Sequence, residues 1–211
     1  MGFGALTVRT MRSLIAVSVM VAAPAIASAQ NITFTHTGTI GTGSIGTTNF
    51  VRRDFSIVAT GNTASRQAFV GGFWIDHLAA SINIDGVGLF NFTTGTRTFV
   101  NNGNNIVGFS RAGTDGLDLF NGPTNAAFAA WNMLSSIGPF GGEARLLQWS
   151  NTPVQTSGGT LAFNNLVTTG TFQAVVGTTV VPEPSTYSLL AVAMSAMAMV
   201  LRRRAGRSTG A

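Results

Sequence analysis

Between Ile32 and Ile40 every odd position is threonine, while the even positions are Ile32, Phe34, His36, Gly38 and Ile40. Successive side chains of a strand point to opposite faces, so this period of two with β-branched residues predicts a strand with one half-buried face. The same signal recurs. Ile82 and Ile84 alternate with polar neighbours, Asp85 and Gly86 form a two-residue turn, and Val87 and Leu89 follow. In that hairpin Ile84 pairs with Val87 and Ile82 with Leu89, all on one face.

Phe99 and Ile106 flank a second turn over 101–105, around Gly103, where asparagine and glycine tolerate positive φ. Leu117 and Leu119 follow Asp115 and Gly116, and Phe172, Ala174 and Val176 form a late alternating strand. Further strands are expected near 55–59, 69–75, 145–149 and 161–167. Strands recurring with short turns point to an all-β body, an antiparallel, jelly-roll-like β-sandwich. One segment breaks the pattern: Thr124 can cap a short helix in which Ala127, Trp131 and Leu134 fall at i, i+4 and i+7, with Phe128 beside them. It ends before Gly138 and Pro139 and is expected to cover one end or edge of the sandwich. The body, residues 30–176, is long enough for a single core.

The formal charge of +5 suggests nucleic acid or an anionic membrane until its distribution is counted. Arg9 and Arg12 lie near the start, and Arg202, Arg203, Arg204 and Arg207 near the end. The arginines between them (52, 53, 66, 97, 111 and 145) are matched by Asp54, Asp76, Asp85, Asp115, Asp118 and Glu143. The body is formally neutral, so the basicity reports topology signals and nucleic acid is not an expected partner. With no cysteine in the chain, disulfide and thiolate chemistry are excluded.

Arg9 and Arg12 precede an apolar stretch over 14–23, and Ala27, Ser28 and Ala29 supply small residues before Gln30. That order predicts a signal peptide over 1–29, cleaved after Ala29. The competing assignment, a retained anchor, meets a run short of the ~20 residues a span needs and interrupted by Pro24.

Chemistry-bearing residues are sparse in the body. Asp76 and His77 are neighbours, but on a strand they face opposite ways and do not make a base and its orienting partner. His36, in line with Ile32 and Phe34, is expected to be packed or at the rim. Asp115, Gly116, Asp118 and Asn121 could gather oxygens for calcium, yet aspartate and glycine at a turn need no metal. Trp74, Trp131 and Trp149 could stack on sugars, although core positions are favoured. Asn31 with Thr33 and Asn91 with Thr93 match the glycosylation sequon. No cofactor is expected, and no enzymatic activity.

Near the end, Pro182 and Pro184 hold the chain extended around Glu183. The run 187–201 carries no charge, and as a helix it would measure about 22 Å. Arg202, Arg203 and Arg204 then set an orientation with the body exported. Within the expected layout, 177–186 is a linker, 187–201 a transmembrane helix and 202–211 a basic cytoplasmic tail. In this order the residues over 181–204 resemble the PEP-CTERM sorting domain of Gram-negative bacteria. The resemblance implies recognition of Pro182, Glu183 and Pro184 by a membrane-embedded exosortase, with the arginines holding the segment in place. It further implies transient inner-membrane anchoring, removal of the tail, and a final place at the cell surface or in the extracellular matrix. The expected function is that of a non-enzymatic exported protein associated with exopolysaccharide or biofilm. The alternative is a secreted carbohydrate-binding or carbohydrate-active protein.

Overall fold

The structure, a computed structural model, describes residues 30–113, 117–149, 151 and 153–177. The signal-peptide residues Ala27 and Ala29, the sorting motif, the apolar run 187–201 and the arginine cluster lie outside the described residues. Twelve strands follow one another: β1 (Asn31–Ile45), β2 (Thr48–Asn62), β3 (Gln67–Phe69), β4 (Gly72–Ile84), β5 (Gly88–Asn91) and β6 (Thr96–Asn101), then β7 (Ile106–Arg111), β8 (Asp118–Thr124), β9 (Ile137–Leu146), β10 (Val154–Thr156), β11 (Gly159–Phe163) and β12 (Leu166–Val176).

The alternation in β1 is realised as predicted: Ile32, Phe34 and His36 are buried and Thr33, Thr35 and Thr37 half-buried on the other side. The expected sandwich is not. Residues Ile32 to Gly38 of β1 pair with β12 along one edge and with β2 along the other. The ladder runs β1, β12, β9, β8, β7, β6, β4, β2 and returns to β1, a closed antiparallel barrel of eight strands. Closure removes the free edges that two packed sheets retain. Bulges bend the long strands round the ring, between Gly38 and Gly41 in β1 and at Leu78 in β4, where Thr60 faces Ala79 but Gly61 faces His77. The bulge also switches the inward parity of β4, from Ile75 and His77 to Ala80, Ile82 and Ile84.

A short extension closes one end. β11 pairs with the last residues of β1, β10 pairs with β11, Thr156 bridges to Phe92, and β5 folds back on β4. Inside, the apolar residues form two clusters. One, around Ile45, Phe55, Phe120, Trp149 and Phe163, fills the extension and the adjacent half of the barrel. The other, around Ile32, Phe34, Val100, Phe128, Trp131 and Phe172, fills the half where the chain enters and leaves.

The expected covering helix is also absent. Residues Ala126–Ala129 make a single 3₁₀ turn capped by Asn125, while Thr124 ends β8. Phe128, Trp131 and Met133 are buried but Ala127 and Leu134 are exposed. Asn102 Nδ2 donates to the carbonyls of Phe128 and Trp131, and Met133 has φ of 63°. Carbonyls satisfied from β6's turn and a left-handed residue are incompatible with a continuing helix. The hairpin after β4 is shifted by one residue: Ile84 faces Gly88, Ile82 faces Phe90, and Leu89 is exposed. Gly86 has φ of 69° while Asp85 does not take a positive φ, so the two-residue turn that needs both is replaced by a three-residue loop.

The outer face of β12, β1, β2 and β4 is free of charge over two successive rows. One row is Gln173, Thr35, Val58 and Ser81, the next Thr171, Thr37, Ser56 and Asn83.

Candidate functional site

Where the two apolar clusters meet, the barrel holds a polar group of four side chains. His36 arrives from β1 because it continues the inward row of Ile32 and Phe34; His77 arrives from β4 before the bulge reverses its parity. Thr96 and Thr98 come from β6, whose alternate residues Thr96, Thr98 and Val100 are buried. Thr98 Oγ1 lies 3.1 Å from His36 Nε2 and 3.0 Å from His77 Nε2, and Thr96 Oγ1 lies 2.9 Å from His77 Nδ1.

One hydroxyl proton cannot serve two rings, so at least one histidine donates its ring proton to Thr98 Oγ1. In one consistent arrangement His36 Nε2–H donates to Thr98 Oγ1, Thr98 donates to His77 Nε2, and His77 Nδ1–H donates to Thr96 Oγ1. The His36 Nδ1 lone pair is then left without a partner, and so is the Thr96 hydroxyl proton, because two neutral rings and two hydroxyls carry four protons for three contacts. The surroundings are aromatic: His36 packs on Phe109, Phe120 and Phe172, and His77 on Phe34 and Phe109. Burial pushes each imidazole pKa from 6.5 down to about 3, and for His77 the neighbouring His36 adds to the effect. Both rings are neutral at physiological pH, and no carboxylate among the described residues shifts either of them.

Asp76 and His77 do face opposite ways, Asp76 being exposed. The meeting of the two histidines through Thr98 escaped the sequence argument, although the alternation of Thr96, Thr98 and Val100 was the signal for it. The candidate carboxylates do not converge: Asp76 lies on β4 and Glu143 on β9, four places apart in a ring of eight, and both are exposed. Glu143 is engaged by Arg145 at 2.8 Å. They cannot flank one glycosidic bond. Asp115 and Gly116 lie outside the described residues. Asp118, instead of opening towards an ion, accepts from Asn121 Nδ2 at 2.9 Å, and burial raises its pKa. Trp131 and Trp149 are core residues, while half-buried Trp74 is flanked by Arg97, 5.2 Å from its ring, and by Phe69.

The two ends of the body lie side by side. Ile32 pairs with Val176, and Gly177 N–H donates to the Asn31 carbonyl at 2.8 Å. The sorting segment therefore follows directly from the strand that seals the barrel.

The family model of the PEP-CTERM protein-sorting motif matches residues 180–204. The chain is therefore an exported protein, anchored transiently in the membrane and processed there by exosortase. No curated protein and no solved structure matches the chain.

Proposed function

We propose that the barrel is a non-catalytic body, delivered by its tail to the cell surface or extracellular matrix of a Gram-negative bacterium and associated there with exopolysaccharide and biofilm. The observation that carries this is the packed interior: buried His36 and half-buried His77 lie among phenylalanines and are joined to threonines. The separation of Asp76 from Glu143 across the ring argues against hydrolysis of glycans. A filled barrel acts through its outer surface, which over β12, β1, β2 and β4 carries two uncharged rows rich in hydroxyls. Intact mass of the mature protein and fractionation of a biofilm test the proposal together. The expected product begins at Gln30, ends before Arg202 and co-extracts with matrix polysaccharide. A product retaining Arg202 to Arg204 in a strain with active exosortase, or one found only free in the medium, would overturn it.

A further inference from the structure

On the outer face of the barrel a groove of about 300 Å³ crosses β1, β2 and β4, with Phe55 beneath it and Thr37, Ser56, Asn83, Asp54 and Asp85 among its walls. Thr37, Ser56 and Asn83 are register neighbours on three adjacent strands, so their side chains stand in a line at the interstrand spacing of about 4.8 Å. Thr171 on β12 extends the line, its hydroxyl 2.7 Å from that of Thr37.

Thr37 and Thr171 are bonded to each other, the Thr37 hydroxyl also accepting the Thr171 N–H at 3.0 Å, so the uncommitted capacity lies at the other end of the line and at the carboxylates. Asp54 Oδ1 accepts the Ile40 N–H at 3.1 Å, which leaves its second oxygen. The side chains of Ser56, Asn83 and Asp85 make no hydrogen bond to another described residue. Asn83, Asp54 and Asp85 are exposed and Ser56 is half-buried. Ionised carboxylates only accept, so the two aspartates call for a ligand rich in donors, while serine and asparagine both give and take. No arginine is among the described residues lining the groove, although the Arg53 guanidinium lies beside Gly86, next in the chain to Asp85. An anionic polymer would meet the Asp54 and Asp85 carboxylates in the groove wall itself. A polymer of neutral sugars meets each requirement: hydroxyl donors for the aspartates, acceptors for serine and asparagine, and no charge to desolvate.

We propose that this groove and the row Thr171, Thr37, Ser56 and Asn83 bind a neutral, hydroxyl-rich glycan laid across the strands. The proposal rests on the association with extracellular polysaccharide given above and names the surface and the ligand class. The test is native electrophoresis of the exported, processed protein in gels containing dextran or hydroxyethyl cellulose, with alginate as the anionic comparison. Retardation is expected in at least one neutral gel and not in alginate. Ser56→Arg and Asn83→Arg, which place a bulky cation on an exposed face, should each abolish the retardation with the melting temperature preserved. Gln67→Arg, on exposed β3, should leave it intact. Absence of retardation in both neutral gels, or undiminished retardation of Asn83→Arg, overturns the proposal. So does retardation that vanishes in EDTA, which would assign the carboxylates to a cation. Protein that co-extracts with matrix yet migrates freely in both neutral gels would refute this site while leaving the delivery to the matrix standing.

Discussion

Acidification should unfold this barrel through its two interior histidines. An unfolded chain protonates both rings near 6.5, whereas the folded chain resists until about 3. The sign follows from linkage: below 6.5 the unfolded state binds more protons, so stability is fully present above that pH and is lost as pH falls. Each ring contributes about 1.4 kcal/mol per pH unit, so two rings remove about 5 kcal/mol between neutrality and about pH 4.5. That is comparable with the entire stability of many domains, about 5–15 kcal/mol. Asp118 works in the other direction, because its raised pKa favours the folded state as pH falls towards the normal carboxylate range. It is one group against two, and it lies on β8 among Asn121 and Arg97, away from the rings. The assay is guanidinium denaturation of the mature protein, followed by tryptophan fluorescence from about pH 7.5 down to about pH 4.5. His36→Leu keeps the Thr98 to His77 bond and should halve the slope to about 1.4 kcal/mol per unit. A stability flat over this range, or imidazole resonances titrating near 6.5 in the folded protein, would refute the reasoning.

Glu183→Ala should leave the tail attached, visible as a larger mass of the membrane-bound form, while the barrel melts as before. Phe172→Ala opens a cavity against His36, Phe34, Phe128 and Trp131 and should destabilise by about 3–5 kcal/mol in the same denaturation assay. Gly38→Ala would set a methyl 2.6 Å from a Phe55 ring carbon beside the β1 bulge, for a loss of about 1–3 kcal/mol in thermal or chemical unfolding.

Local pattern was legible where one strand face settled it. Ile32, Phe34 and His36 read as an inward row, and Phe172 and Ala174 as another, because burial follows period two directly. What the pattern does not encode is the neighbour on each edge. Whether Ile32 faces Gly61, Val176 or both decides between barrel and sandwich, and the partners lie far away in sequence. Bulges defeat the count as well: Leu78 is an extra residue that looks like any apolar strand residue, yet it is exposed and reverses everything after it. The segment after Thr124 had helical spacing, but Asn102, from a turn more than twenty residues earlier, takes the carbonyls a helix would need. The sorting tail was legible because it works as a linear motif. The histidine pair was half legible: the inward direction of His36 followed from its strand, whereas for His77 the pattern gave only a face opposite to Asp76, and Thr98 depended on β6 lying beside β4.

Synthesis and export run from one end of a chain to the other, whereas the seam of this barrel joins its first strand to its last. β1 can pair with β2 early, as a hairpin, but its other edge stays open until β12 has emerged. Until then the inward rows of phenylalanine are exposed to whatever handles the chain during passage. Completion of the fold is thereby timed to the last stretch before the sorting motif, so a truncated chain lacking β12 is left with an open edge and a core half uncovered. Only a chain that extends through Val176 can close around its own histidines.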